Sequence, residues 1–217
     1  MNNINFREMM CDNDDSLYRP NIHDKLSTLL TEYTTIHSKT MVIRFDVTYP
    51  KGFMAVEDNS DMSNLMKLLI QQCSRNGVSP VYFWVREQSL RSKNQHYHCM
   101  LLLDGNKTCR YYPYIKSAEE MWGRILDVDP KGLIHYCDRD PDGNRQANGI
   151  ILRSDDPSYE GKIEAVVRQA MYLAKDHTKG ICNDGFRDFG MTRMANVSRL
   201  RVRRTRREQD QADSYYA

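Results

Sequence analysis

The sequence predicts an α+β fold: an antiparallel sheet of about five strands with helices on one face, a split-βαβ plan. Three observations predict it. Several short segments alternate apolar and polar residues or are rich in β-branched and aromatic types, as strands are. Three longer segments between them repeat their apolar residues at helical spacing. The resulting order, β-α-β-β-α-β-β-α, contains adjacent strand pairs joined by short links, which favour antiparallel neighbours.

The elements follow in order. Ile22, Leu26, Leu29, Tyr33 and Ile36 place an amphipathic helix over residues 21–37. In "MVIRFDVTYP", Met41, Ile43, Phe45, Val47 and Tyr49 alternate with more polar neighbours, giving a strand that Pro50 and Gly52 end. "DMSNLMKLLIQQCSRNG" reads as a helix with Asp61 as N-cap and Gly77 as terminator. "PVYFWVRE" (80–87) and "HYHCMLLL" (96–103) are strands, the second apolar on both faces after His98 and therefore central. Ser117 and Glu120 form a capping box for a helix through "SAEEMWGRIL", which leaves Tyr111, Tyr112 and Tyr114 in a preceding loop. "GLIHYCDRD" and "NGIILRS" flank a "DPDGN" turn as two further strands. "EAVVRQAMYLAKD" is the last helix of the domain. Residues 1–37 are then a helical arm, 38–195 the domain, and 196–217 a tail.

Composition narrows the classes. The 217 residues are 40% hydrophobic and 28% charged, ordinary for a soluble globular chain, and no apolar run reaches membrane-span length. The N-terminus lacks the basic flank and apolar stretch of a signal peptide. Six cysteines without a CxxC pair argue against a zinc ribbon or a disulfide framework and fit free thiols in the cytoplasm. The net charge of +2 conceals an asymmetry: residues 187–207 hold eight arginines and one aspartate. Arginines at 168, 199, 201, 203, 204, 206 and 207 (Arg168, Arg199, Arg201, Arg203, Arg204, Arg206, Arg207) are the expected phosphate contacts.

His96 and His98 stand two apart on one strand and share a face, as a two-imidazole metal clamp requires. If the "QSLRSKNQ" link closes symmetrically, Glu87 lies opposite His96 and Val85 opposite His98, so Glu87 joins them as third ligand. On the last helix, Ile163, Val167, Ala170 and Ala174 make an apolar stripe, while Arg168, Tyr172 and Lys175 cluster on another side. A tyrosine between two cations is a candidate nucleophile toward phosphate.

"HYH" on a central strand, "YLAK" (Tyr172, Lys175) on a later helix and the upstream "FDVTYP" together resemble the HUH superfamily of single-strand DNA endonucleases. The likeness is nearest to the YagK/YfjJ C-terminal-domain family of prophage proteins, itself similar to filamentous-phage replication proteins, and covers about residues 38–195. The resemblance implies Mg²⁺ or Mn²⁺ on His96, His98 and Glu87, attack by Tyr172 to give a 5′-phosphotyrosyl intermediate, and charge neutralisation by Lys175. It implies single-stranded DNA at a replication origin as substrate. A host helicase and polymerase are implied partners, since no P-loop is present. Tyr97 is bulkier than the usual central residue, and the lone tyrosine of the helix motif implies a single-tyrosine mechanism.

Two other readings compete. One is a DNA-binding regulator without catalysis on the same fold. The other is an RNA-binding split-βαβ domain stacking bases on Tyr82, Trp84 and Tyr97. Two-histidine phosphoesterases lack support because a second H-x-S/T motif is missing.

Deleting residues 199–217 is expected to weaken binding to all single-stranded DNA sequences alike. Each lost phosphate contact should remove about 0.7–0.9 from the slope of log affinity against log salt. Filter binding across a salt series measures this, and an unchanged slope excludes the tail.

Overall fold

The computed structural model describes residues 5–10, 19–87, 94–139, 143–175 and 185–200. Its sheet is built around β1 (Lys39–Thr48) and β3 (His96–Asp104), which pair antiparallel over nine residues from Thr40↔Asp104 to Thr48↔His96. β2 (Val81–Glu87) pairs with the other side of β3, and β6 (Phe189–Met191) closes that edge against β2. Across β1 lie β4 (Ile134–His135) and β5 (Ile150–Arg153), so the six-stranded sheet is antiparallel throughout. The helices are α1 (Phe6–Met10), α2 (Pro20–Ile36), α3 (Ser60–Arg75), α4 (Tyr112–Leu126), α5 (Tyr159–Ala174) and a sixth, α6, over residues 194–200. The predicted α+β antiparallel architecture is the one observed.

Strand parity sorts the chain into two cores, because successive side chains alternate faces. Val42, Phe83, Val85, Met100 and Leu102 share one cluster with Leu26 and Leu30 of α2 and Val166 and Ala170 of α5. Ile43, Phe45, Trp84, Tyr97, Cys99 and Leu101 share the other with Leu65 and Leu69 of α3 and Trp122 of α4. Helices therefore cover both faces, where the sequence pointed to one. The reason is legible in the strands: β1 and β3 are buried on both sides, and a sheet buried on both sides needs two helical layers. The segment set apart as an arm supplies core as well, since Phe6, Met10 and Tyr33 are fully buried in the first cluster.

Local signals were misplaced in three positions. α4 begins at Tyr112 with Pro113 in its first turn, so Tyr112 and Tyr114 are helical, and Ser117 lies inside the helix accepting a hydrogen bond from Gln72 Nε2 at 3.1 Å. Proline pre-set to helical φ outcompeted the capping box as the start signal. Asn59, not Asp61, precedes α3, and the Asp61 carboxylate accepts from Tyr49 Oη at 3.1 Å. The expected hairpin through "DPDGN" is reduced to a bridge between Arg139 and Arg145.

That last region is a single edge strand broken in the middle. β4 pairs with residues 46–47 of β1 and β5 with residues 39–42, so both continue one line along β1. Between them the chain leaves the sheet, and Asn148 fills the gap opposite Arg44. Its amide accepts from Arg44 N at 2.9 Å and donates to Arg44 O at 2.7 Å, copying the two bonds a strand residue would make. The same Nδ2 donates to Tyr136 O, closing the base of the excursion.

Asn148→Ala is expected to cost about 3 kcal/mol, because both polar backbone groups of Arg44 lose their partner in a half-buried setting. Urea denaturation measures it. A loss below about 1 kcal/mol would show that water replaces the amide.

Candidate metal centre

From Met41 onward β1 is apolar on its odd-numbered face, and it is polar at one end of its even-numbered face, where Arg44, Asp46 and Thr48 follow each other. The register brings that end against the histidines. Asp46 lies opposite His98, which lies opposite Val85; Thr48 lies opposite His96, which lies opposite Glu87. The Glu87–His96 and Val85–His98 pairing is the one the symmetric link predicts. His135 of β4 lies opposite Asp46 from the other side. One end of one face of the sheet thus carries three imidazoles and two carboxylates.

His98 is held between the two acids. Its Nδ1–H donates to Asp46 Oδ1 at 2.8 Å and its Nε2–H to Glu87 Oε2 at 2.7 Å, with the ring only 1% exposed. Burial alone would lower the His98 pKa, but the hydrogen bonds to Asp46 and Glu87 outweigh it and raise the value above 6.5. Burial alone would raise Asp46; the bond and charge of His98, aided by Arg44, hold it well below the usual carboxylate range. His96 goes the other way: burial and the neighbouring charge of His98 lower it below 6.5, so it offers a neutral ring nitrogen. Its Nε2 lies 4.0 Å from Asp46 Oδ2, and the two histidine rings are 4.5 Å apart.

These residues fit a divalent ion. Ligand atoms of Asp46, His96 and His98 all lie within 4.8 Å of one another, a mixed N/O set with one half-exposed member. An ion would take the His98 ring nitrogen that now shares a proton with Asp46, and Glu87 on the other nitrogen would be the outer partner that orients the imidazole. Asp46 was not singled out from sequence. The available signal was a carboxylate inside a central strand at the parity of two other polar residues.

Tyr172 stands over this centre. It sits in the last turn of α5, and its ring meets the His98 ring edge-on at 5.1 Å between centroids. The buried face of α5 follows the predicted stripe, with Ile163, Val167, Ala170 and Ala174 all buried, while Tyr172 keeps 41% exposure. The cation against it is one that sequence spacing did not reveal. The Arg44 guanidinium lies 4.1 Å from the Tyr172 ring centroid and its Nη2 lies 3.4 Å from Asp46 Oδ1. Arg44 Nε is buried with no hydrogen-bond partner. Burial raises the Tyr172 pKa, and Arg44 opposes the rise. Arg168 is exposed one turn back, and Lys175 is the half-buried C-cap residue with extended backbone, beyond the helix rather than on its face. Arg19 N donates to Ala174 O at 2.9 Å, pinning this turn to the start of α2. Arg199 is exposed in α6. Arg201, Arg203, Arg204, Arg206 and Arg207 lie outside the described residues.

The alternative of base stacking on Tyr82, Trp84 and Tyr97 does not survive. These residues face the α3/α4 layer, with Trp84 at 4% and Tyr97 at 0% exposure.

The sequence pattern of the YagK/YfjJ C-terminal domain matches residues 2–192. The chain belongs to this family. The match takes in all six strands and helices α1 to α5, and so the entire Asp46–His96–His98 centre of this YagK/YfjJ-type domain. No curated protein matches the chain. Among the described residues, no helix is long and apolar enough to cross a membrane.

The carboxylate–imidazole coupling sets a pH dependence in chelator-treated protein. His98 is raised by its partners, so its contribution is fully present below the unfolded value and is lost as pH rises through the folded value, above 6.5. Asp46 is lowered, so its contribution is lost as pH falls through the acidic range. Asp46→Asn is expected to lower the His98 pKa and to flatten the alkaline limb of stability. NMR titration of His98 and denaturation at pH 6 and 9 test it. An unmoved His98 value would break the coupling.

Proposed function

We propose that this YagK/YfjJ-type domain nicks and transfers single-stranded DNA in a metal-dependent reaction through a 5′-phosphotyrosyl intermediate on Tyr172. The observation that supports this most is the placement of the Tyr172 ring edge-on against His98 and under Arg44. A phenol, a cation and a divalent-ion donor set then share one small region.

The donor set would consist of Asp46, His96 and His98, with Glu87 orienting His98. A bound Mg²⁺ or Mn²⁺ would supply Lewis-acid polarisation of a phosphate oxygen. Hard divalent ions suit a set containing carboxylate and imidazole with room for substrate oxygen.

The chain's own groups carry the remaining steps. Tyr172 Oη forms the bond to phosphorus, and the bond from phosphorus to the 3′ oxygen breaks. One phosphodiester bond is exchanged for another, so a later transfer needs no ATP. The phenol proton leaves to solvent along the exposed edge of Tyr172. The leaving 3′ oxygen takes a proton from solvent and becomes a free hydroxyl. Arg44 stabilises the phenolate, against which burial works. Lys175, three residues on from Tyr172, would neutralise charge on the same phosphate. Initiation of rolling-circle replication at an origin, with a host helicase and polymerase acting on the free 3′ end, is the process this chemistry would serve.

The test uses the full chain, a single-stranded oligonucleotide and Mn²⁺. A covalent adduct resistant to denaturing electrophoresis is expected, and a chelator should prevent it. Tyr172→Phe keeps the ring and removes only the attacking oxygen, so the adduct should vanish while DNA affinity stays within about twofold. Arg44→Ala and Lys175→Ala should each slow cleavage about 100-fold, equivalent to about 2.7 kcal/mol of transition-state stabilisation. DNA mapped to any residue other than Tyr172 would end the assignment. Binding without cleavage under all metal conditions would favour the regulatory reading.

A further inference from the structure

We infer that Asp46, His135 and Cys137 form a second cation site, for a zinc-class ion, on the far side of Asp46 from the His96/His98 pair. Ligand atoms of these three residues all lie within 4.8 Å of one another. Asp46 and His135 are directly opposed in the register, so their side chains share a face. Cys137 comes two residues later, where the chain leaves the sheet, and its Sγ lies 3.4 Å from His135 Nδ1.

The donor set decides the ion. Thiolate, imidazole and carboxylate together are a borderline-soft combination that zinc accepts and magnesium does not. Zinc bonds of about 2.3 Å to sulfur and 2.05 Å to nitrogen at a tetrahedral angle separate the two donors by about 3.6 Å. The observed 3.4 Å needs little movement to match it. His135 is exposed while Cys137 and Asp46 are buried, which leaves an open side for a fourth ligand from solvent. On binding, the Cys137 thiol gives its proton to solvent.

Two features of the surroundings favour a site over chance proximity. Cys137 is a non-glycine residue at φ +49°, a backbone conformation that its own side chain does not favour and that the surroundings impose. Its carbonyl is held separately, accepting from Gln146 Nε2 at 3.1 Å, so the backbone is fixed while the sulfur points at His135. The excursion that breaks the edge strand is what turns a strand-edge thiol toward Asp46. An ion there would join that excursion to the central strand.

This inference stands apart from the nicking reading, although Asp46 serves both sites. The probe is Co²⁺, whose bond to a thiolate gives a near-ultraviolet charge-transfer band. The metal-free full chain should show the band at one equivalent. The His96→Ala/His98→Ala double variant, which removes the other donor pair, should keep it. Cys137→Ser should lose it, and His135→Ala should weaken Co²⁺ binding at least tenfold. X-ray absorption on the Zn²⁺-loaded wild-type chain checks the site without any substitution, with one sulfur expected at about 2.3 Å. A purely N/O shell, a band that survives Cys137→Ser, or no band at all would show that the thiol only hydrogen-bonds and would overturn the site. Loss of the band in a double histidine variant whose circular dichroism and melting match the wild type would do the same, by placing the ion elsewhere.

Discussion

A single imidazole pinned between two carboxylates is the constraint around which this end of the molecule is organised. His98 is almost fully enclosed, and Asp46 and Glu87 come from the strands on either side of its own. Removing either acid would leave a buried ring nitrogen without a partner, a loss larger than the worth of an ordinary hydrogen bond. The arrangement requires three strands in one register, because a slip of one residue would turn every member to the opposite face. The long β1–β3 ladder and the two apolar layers are what prevent that slip. Stability of the fold and geometry of the site are in this sense one problem.

The same constraint explains the mixed character of β1. From Met41 to Val47 its odd-numbered residues are pure core, while Arg44 and Asp46 are charged side chains buried to within a tenth of their surface. Buried charge is tolerated only in company. Arg44 has Asp46 on one side and the Tyr172 ring on the other, and Asp46 has His98. α5 therefore docks with its apolar stripe on the sheet and its final turn over this polar patch. Tyr172 can be close to the histidines and still reach solvent, which periodicity along the helix alone left unresolved.

Much of this was legible in the chain, and the gaps have physical causes. Alternation located β1, β-branched and aromatic richness located β2, a run apolar on both faces located β3, and the short link fixed the Glu87–His96 register. Tyr172 and the apolar stripe of α5 followed from helical spacing. Asp46 and Arg44 were missed because their partners are non-local: nothing near residue 45 in sequence announces that residue 98 or 172 will face it. The division of helices between two faces was missed for the same reason, since a strand buried on both sides reads as simply apolar. Lys175 was grouped with Tyr172 on the assumption that the helix continues, whereas it stops at Ala174 and turns Lys175 into extended backbone. Parity along "GLIHYCDRD" puts Cys137 on the face of His135, but Asp46 comes from a distant strand, and nothing near residue 137 announces that it will face the pair.

The broken edge strand also bears on how copies of this domain behave at high concentration. An uninterrupted outer strand offers a row of free amide and carbonyl groups on which another chain can add itself. Here that border is split into two residues and four residues, with a side-chain amide plugging the space between them. The opposite border is only three residues long, and Gly190 there lies flat against Trp84 with no room for a side chain. Neither border is a good template for sheet-to-sheet growth. A protein with a strongly apolar interior is in this way kept from polymerising through its own backbone.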